Sequence, residues 1–153
     1  MISCCKPLLA FFLFSTSNLC FGQGPQVVIW NFKADPMKGH ETILSITAQI
    51  APGWHLYSQS LKEDGPIPTR FTFEANDNYR LIGDTGEKGK PVVFYDDIYE
   101  MEITWYADSV SFSQRIGLNH PVTTIKGKVE YMVCNNQMCI PDEREFRVDV
   151  KPY

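Results

Sequence analysis

From residue 25 onward, hydrophobic and polar positions alternate with a period of two. In "ILSITAQIAP", Leu44, Ile46, Ala48 and Ile50 alternate with Ser45, Thr47 and Gln49. In "SVSFSQRIGL", Val110, Phe112, Ile116 and Leu118 alternate with Ser111, Ser113 and Arg115. In "REFRVDVKP", Phe146, Val148 and Val150 alternate with Arg147, Asp149 and Lys151. Alternation of this kind marks strands with one face on a core. Further strands are predicted at Val27–Lys33, Trp54–Ser58, Arg70–Phe73, Tyr79–Ile82, Ile98–Tyr106 and Ile125–Cys134. Turn chemistry separates them: "DPMKGH", "APG", "EDGPIPT", "ANDN", "GDTGEKGKP", "YADS" and "NHP". "GDTGEKGKP" reads as the most flexible loop. No stretch carries a helical period. About nine short strands with regular breaks predict an all-β fold, a two-sheet antiparallel sandwich of immunoglobulin type. A barrel is the alternative closure.

The first residues break this pattern. "MISCCKPLLAFFLFSTSNLCFGQ" carries one cation, Lys6, then the apolar run Pro7 to Phe14, then small and polar residues. That order predicts a secretory signal peptide over residues 1–23, cleaved after Gly22 or Gln23. The run is too short to span a bilayer, which takes about 20 residues. A lipoprotein signal at "SNLC" is the weaker match, because Leu19 is bulky where a small residue is expected. The predicted mature chain, residues 24–153, is a single exported domain with no membrane span. Its location is read as periplasmic once the resemblance below is added.

Composition narrows the functions. The net charge is −4 and no basic stripe exists, which argues against nucleic-acid binding. Hydrophobic residues make up 44% of the chain, enough for a packed core. The export signal also settles the cysteine count. Cys4, Cys5 and Cys20 fall in the signal, so Cys134 and Cys139 are the pair that remains. An even pair in an oxidising compartment reads as a disulfide.

Parity places that pair. Ile125, Val129, Tyr131 and Val133 share the core face. Lys126, Lys128, Glu130, Met132 and Cys134 share the other, so Cys134 is expected to leave the core and point outward. "NNQM" reads as a hairpin loop that sets Cys134 opposite Cys139. Opposed strand residues have Cβ atoms about 4.5–5.5 Å apart, against about 3.5–4.5 Å in a relaxed bridge. A bond across that gap is expected to be accessible and reducible. It encloses so short a loop that chain entropy contributes only about 2 kcal/mol. No helix start is available to activate a thiol. A redox pair fits these residues, and so does a plain hairpin staple in a non-enzymatic immunoglobulin-like binding or scaffold module.

Other chemistries have less support. Met132, Cys134, Met138 and Cys139 form a soft-ligand set suited to Cu(I). His40, His55 and His120 lack zinc-finger spacing, and no resident metal or cofactor is assigned. No Gly-x-Ser-x-Gly elbow occurs, and no phosphate-cradling loop. Trp30, Trp54 and Trp105 are read as packing residues before any carbohydrate-stacking role.

"VEYMVCNNQMCIPDEREFRVDV" resembles the end of the N-terminal periplasmic domain of the thiol:disulfide interchange protein DsbD. "APGWHLYSQSL" resembles its Gly-aromatic-x-Leu-Tyr segment, and "GPIPTRFTF" the related stand-alone proteins. The resemblance implies an immunoglobulin-like domain acting as a thiol–disulfide oxidoreductase, an electron relay between thioredoxin-fold partners. It implies that Cys134 and Cys139 are the redox pair, with Cys139 forming the mixed disulfide and Cys134 resolving it. His55 and Tyr57 match aromatic positions beside the pair. "VVFYDDIY" matches a cap loop, with Phe94 or Tyr95 as the shield over the cysteines. The sequence ends at Tyr153, before the membrane segment and thioredoxin domain of a full transporter, so either the electron source is expected to be a separate protein or this copy does something else with the fold.

Overall fold

The computed structural model describes residues 26–36, 39–62, 64–97, 99–120 and 123–150. The predicted signal peptide lies outside them. Eight antiparallel strands make up the fold: β1 (Val28–Pro36), β2 (Glu41–Ile50), β3 (His55–Tyr57), β4 (Arg70–Phe73), β5 (Tyr79–Asp96), β6 (Met101–Leu118), β7 (Thr123–Cys134) and β8 (Cys139–Val150). Among the described residues there is no helix, and therefore none long and apolar enough to cross a membrane.

The fold is all-β and immunoglobulin-like, and its ladders join into one curled sheet. The order is β1-β2-β6-β3-β7-β4, with β5 added to β6 and β8 added to β7. Curling brings β1 and β8, at distant parts of the ladder, into contact. Phe32 of β1 stacks on Phe146 of β8 with ring centroids 4.6 Å apart. Trp30 bridges the interior, meeting Tyr131 at 5.2 Å and Phe71 and Phe112 at 6.0 Å each. Sandwich and curled sheet are thus the same packing: inner faces meet around one core.

The alternating residues fill that core. Leu44, Ile46, Ala48 and Ile50 are buried from β2, and Val110, Phe112 and Ile116 from β6. Ile125, Val129, Tyr131 and Val133 come from β7, and Phe146, Val148 and Val150 from β8. Tyr131 donates a hydrogen bond of 2.8 Å to its cross-strand neighbour Asp142. Burial, reinforced by that acceptor, pushes the Tyr131 hydroxyl up to about 12.

Two predicted breaks are not breaks. "GDTGEKGKP" lies within the 18-residue strand β5 instead of forming a loop. Its glycines and lysines lack strand propensity, but cross-strand pairing to β6 carries them through, with register shifts at Ile82/Gly86 and Gly89/Pro91. Gln114, buried among apolar neighbours, supports the first shift. Its amide donates to the carbonyls of Ile82 and Gly83 at 3.3 and 3.2 Å and its oxygen accepts from Thr85. "YADS" lies inside β6, where Asp108 takes a left-handed φ of 58° and the strand continues past it. The merger across "YADS" reduces nine predicted strands to eight, and the other extension lengthens Tyr79–Ile82 into β5.

Of the described glycines, Gly127 has the least room for a side chain. A Cβ there would lie 2.3 Å from the Thr72 carbonyl oxygen and 2.7 Å from the Phe146 ring. The backbone of β4 cannot retreat without breaking its ladder with β7. Gly127→Ala is expected to lower stability by about 2 kcal/mol, read as a lower urea midpoint with an unchanged slope.

Candidate functional site

The hairpin between β7 and β8 positions the two cysteines. Its turn is Asn135 to Met138, as the loop chemistry predicts. The Asn135 side-chain oxygen accepts from the backbone amides of Gln137 and Met138, at 2.8 and 2.9 Å. The Asn135 amide donates to the Met138 carbonyl at 2.9 Å. These bonds make 135 and 138 a hydrogen-bonded pair. The next pair, Cys134 and Cys139, is then of the closer, non-hydrogen-bonded kind. Their Cα atoms are 4.1 Å apart and the residues are joined as a disulfide.

Parity places Cys134 on the face opposite the main core, as expected, but not in the open. Cys134 is only 2% exposed. It forms a second apolar cluster with Tyr57 and Ile103, onto which Leu61, Met101, Trp105 and Met132 pack. The sheet is therefore covered on both faces here. The outward-pointing expectation holds for the face, and Tyr57 and Ile103 with their neighbours pack there on Cys134. Cys139, across the turn, is exposed.

Cross-strand register shows how distant segments build this cover. His55 is the ladder partner of Cys134, and Tyr57 of Trp105. Partners share a face, so β3 lays His55 and Tyr57 between the cysteine of β7 and the aromatic of β6. His55 meets Trp105 with ring centroids 4.6 Å apart and Tyr57 edge-on at 5.4 Å. Thr69 holds this strand by donating to the Tyr57 carbonyl at 2.6 Å. Burial keeps the His55 imidazole below its ordinary pKa, so it is neutral near pH 7. Burial, with Tyr99 and Asp96 close by, pushes the Tyr57 hydroxyl up.

The β5–β6 hairpin supplies the rest. Phe94 pairs with Ile103, a member of the cysteine cluster, and so shares its face. Tyr95 pairs with Glu102 and faces the other way, 60% exposed. Of the two shield candidates, only Phe94 is on the cysteine side. It is itself 40% exposed. Beyond it, Asp96 accepts from the Tyr99 amide at 3.1 Å, closing the hairpin tip beside Tyr57.

The soft-ligand set is split. Met132 packs beside Cys134, whereas Met138 stands at the turn, 55% exposed. Among the described residues, no group of three or more His, Cys, Asp or Glu is arranged to hold a metal ion. His40 and His120 are exposed at the far end of β2 and β6 from the cysteines. Trp54 packs on the main core. The contributors that escaped sequence reasoning include Trp105, treated as general packing, and Met101, seated against Gly65 of the proline-bearing loop. Parity along β6 could have found both, since 101, 103 and 105 alternate onto one face.

Known proteins share this architecture. The chain is similar to the N-terminal periplasmic domain of ScsB from Proteus mirabilis, with a TM-score of 0.62 and 18% identity over 85% of this chain. It spans half the length of that ScsB chain. It is also similar to the DsbD N-terminal domain of Neisseria meningitidis in its reduced form, with a TM-score of 0.53 and 15% identity, covering 78% of this chain and 86% of that one. A third structure is the complex between the DsbD and PilB N-terminal domains from Neisseria meningitidis, with a TM-score of 0.51 and 15% identity, covering 77% and 80%. No curated protein matches the sequence. At such identities the structures establish a shared fold. The family model for "Thiol:disulfide interchange protein DsbD, N-terminal" matches residues 25–151, nearly the whole chain, and the chain belongs to that family.

Proposed function

We propose that this domain is an exported thiol–disulfide relay that passes electrons between thioredoxin-fold partners through Cys134 and Cys139. The observation that carries the proposal is the inequality of the two cysteines. Cys139 stands at an exposed turn, and Cys134 lies under apolar cover. A visiting thiolate can reach only the first. Its attack on the Cys139 sulfur breaks the Cys134–Cys139 bond and forms a mixed disulfide. Cys134 leaves as a thiolate and takes up a proton. The partner's second thiol then attacks its own sulfur in the mixed disulfide. The partner departs oxidised and this domain keeps a dithiol, which reduces the next partner by the same steps reversed.

Family membership supports exchange chemistry, and the solved DsbD–PilB complex supports a protein as the visitor. The predicted signal peptide supports export, with a periplasmic site of action. Phe94 and the hairpin tip serve as the cover that a docking partner displaces, with His55 and Tyr57 lining the pair beneath it.

An inert hairpin staple is the competing function, favoured by the burial of Cys134. Reduction potential separates the two. Equilibration against thiol buffers should give a value above about −300 mV, the range of exchangeable pairs; a lower value makes the bond structural. Cys134→Ser should capture a thioredoxin-fold protein as a mixed disulfide through Cys139. Capture by Cys139→Ser alone reverses the roles.

The cover has a separate test. Phe94→Ala should raise the alkylation rate of the reduced pair by iodoacetamide several-fold. Tyr95→Ala, altering the opposite face, should leave it unchanged. Equal rates in both variants and the parent chain rule out shielding by Phe94.

A further inference from the structure

We propose that His55 accepts the Cys134 proton when Cys134 closes onto Cys139, and returns it when that bond is opened. This rests on the exchange function above and adds to it the residue that moves the proton. His55, Cys134 and Cys139 are successive ladder partners across β3, β7 and β8. All three side chains therefore project from one face, in one row. Directly opposed residues hold their Cβ atoms about 4.5–5.5 Å apart, a gap that an imidazole side chain spans. Trp105 and Tyr57 flank the ring from the β6 side, at 4.6 and 5.4 Å, and limit where it can turn.

The need for such a group comes from the surroundings of Cys134. The apolar residues packed with it are Tyr57, Ile103, Leu61, Met101, Trp105 and Met132. Burial in an apolar cluster opposes thiolate formation. Two cations on the same face stand back from Cys134 along the ladder. Arg70 lies opposite Glu130, and Lys128 pairs with Glu130 and Glu143, four and more residues back along β7. The titratable groups beside His55 are Tyr57, edge-on to it from its own strand, and Cys134 on β7, with Cys139 beyond on β8. Trp105 of β6 carries no charge. Asp96 and Tyr99 at the hairpin tip act on Tyr57, whereas burial is what shifts the His55 imidazole. Desolvation holds the resting imidazole neutral, the form that can take a proton.

The step balances. The Cys134 S–H proton passes to an imidazole nitrogen. The Cys134 sulfur bonds to Cys139 as the bond from Cys139 to the partner sulfur breaks. The partner sulfur leaves with the electron pair and is protonated by the imidazolium or by water. Proton transfer by a placed side chain is worth about 10²–10⁴ in rate.

Reaction of the reduced chain with dithionitrobenzoate tests this without any protein partner. Two releases of thionitrobenzoate report the first attack by Cys139 and then closure by Cys134. His55→Phe, which keeps an aromatic ring, and His55→Gln, which keeps hydrogen bonding, should each slow the second release at least tenfold at pH 7. The first should stay within twofold. In the parent chain the second rate should fall as pH drops through the imidazole titration and level off above it. In the variants it should keep rising into the thiol range. An unchanged second rate and pH profile in both variants overturns the proposal. Equal slowing of both releases overturns it too, since it marks a disturbed site. A reduction potential in the structural range would instead remove the relay function and leave this measurement readable.

Discussion

Strand β7 is hydrogen-bonded along both edges and, at its last turn of residues, buried on both faces. β3 and β4 pair to one side and β8 to the other. Val133 enters the main core and Cys134 enters the second cluster, each nearly inaccessible. A one-residue slip would exchange them and place a sulfur in the core and a valine under the cover. Both faces resist that slip, so the register of β7 is more firmly specified than a half-exposed strand's. The position of the disulfide follows from it. So does the row His55, Cys134, Cys139, because ladder partners must share a face.

The cover above Cys134 is built from pieces far apart in sequence. Tyr57 comes from a three-residue strand, Leu61 from the segment after it, Met101, Ile103 and Trp105 from β6. β3 is too short to be stable alone. It is held because it bridges β6 and β7, and because Thr69 and Thr104 tie down the carbonyl of Tyr57 and the amide of Ser58. Such an arrangement is stable as a whole but locally thin. On the same face, Phe94 is half exposed, and its strand pairs with β6 alone. Regions with few buried contacts open at low free energy. By register, Phe94 shares the sheet face of Ile103 and the Cys134 cluster.

Legibility from sequence divides along the same line. Period-two patterning located the core face of β2, β6, β7 and β8 residue by residue, because burial on one face leaves an alternating record. The loop "NNQM" and the pairing of Cys134 with Cys139 were equally readable, since both are local. Parity also identified which face Cys134 uses. It could not say that this face is occupied, because the occupants arrive through cross-strand register that no single strand records. The same blindness explains "GDTGEKGKP". Its composition is that of a loop, and what makes it a strand is pairing with β6 and the reach of Gln114 into the shifted ladder. Gln114 sits at a core parity, where a polar residue signals a buried hydrogen-bonding task. The proposed roles of Phe94 and Tyr95 looked equivalent by motif. Only register separates them.

An exposed Cys139 beside a buried Cys134 also carries a thermodynamic consequence. Opening the bond leaves one sulfur in solvent reach and the other among apolar side chains, where a negative charge is disfavoured. Without a proton, the Cys134 thiolate would be a high-energy leaving group, and attack on Cys139 would tend to reverse. Protonating it within the cluster converts an unfavourable charge into a small apolar thiol, a residue type that buries readily. The cluster therefore accommodates both ends of the reaction, disulfide and neutral thiol. It opposes only the charged species between them. On the relay proposed above, a site of this form conducts exchange when a base and a docked partner are both in place, and resists it otherwise. On that proposal, apolar cover and chemical selectivity have one physical cause.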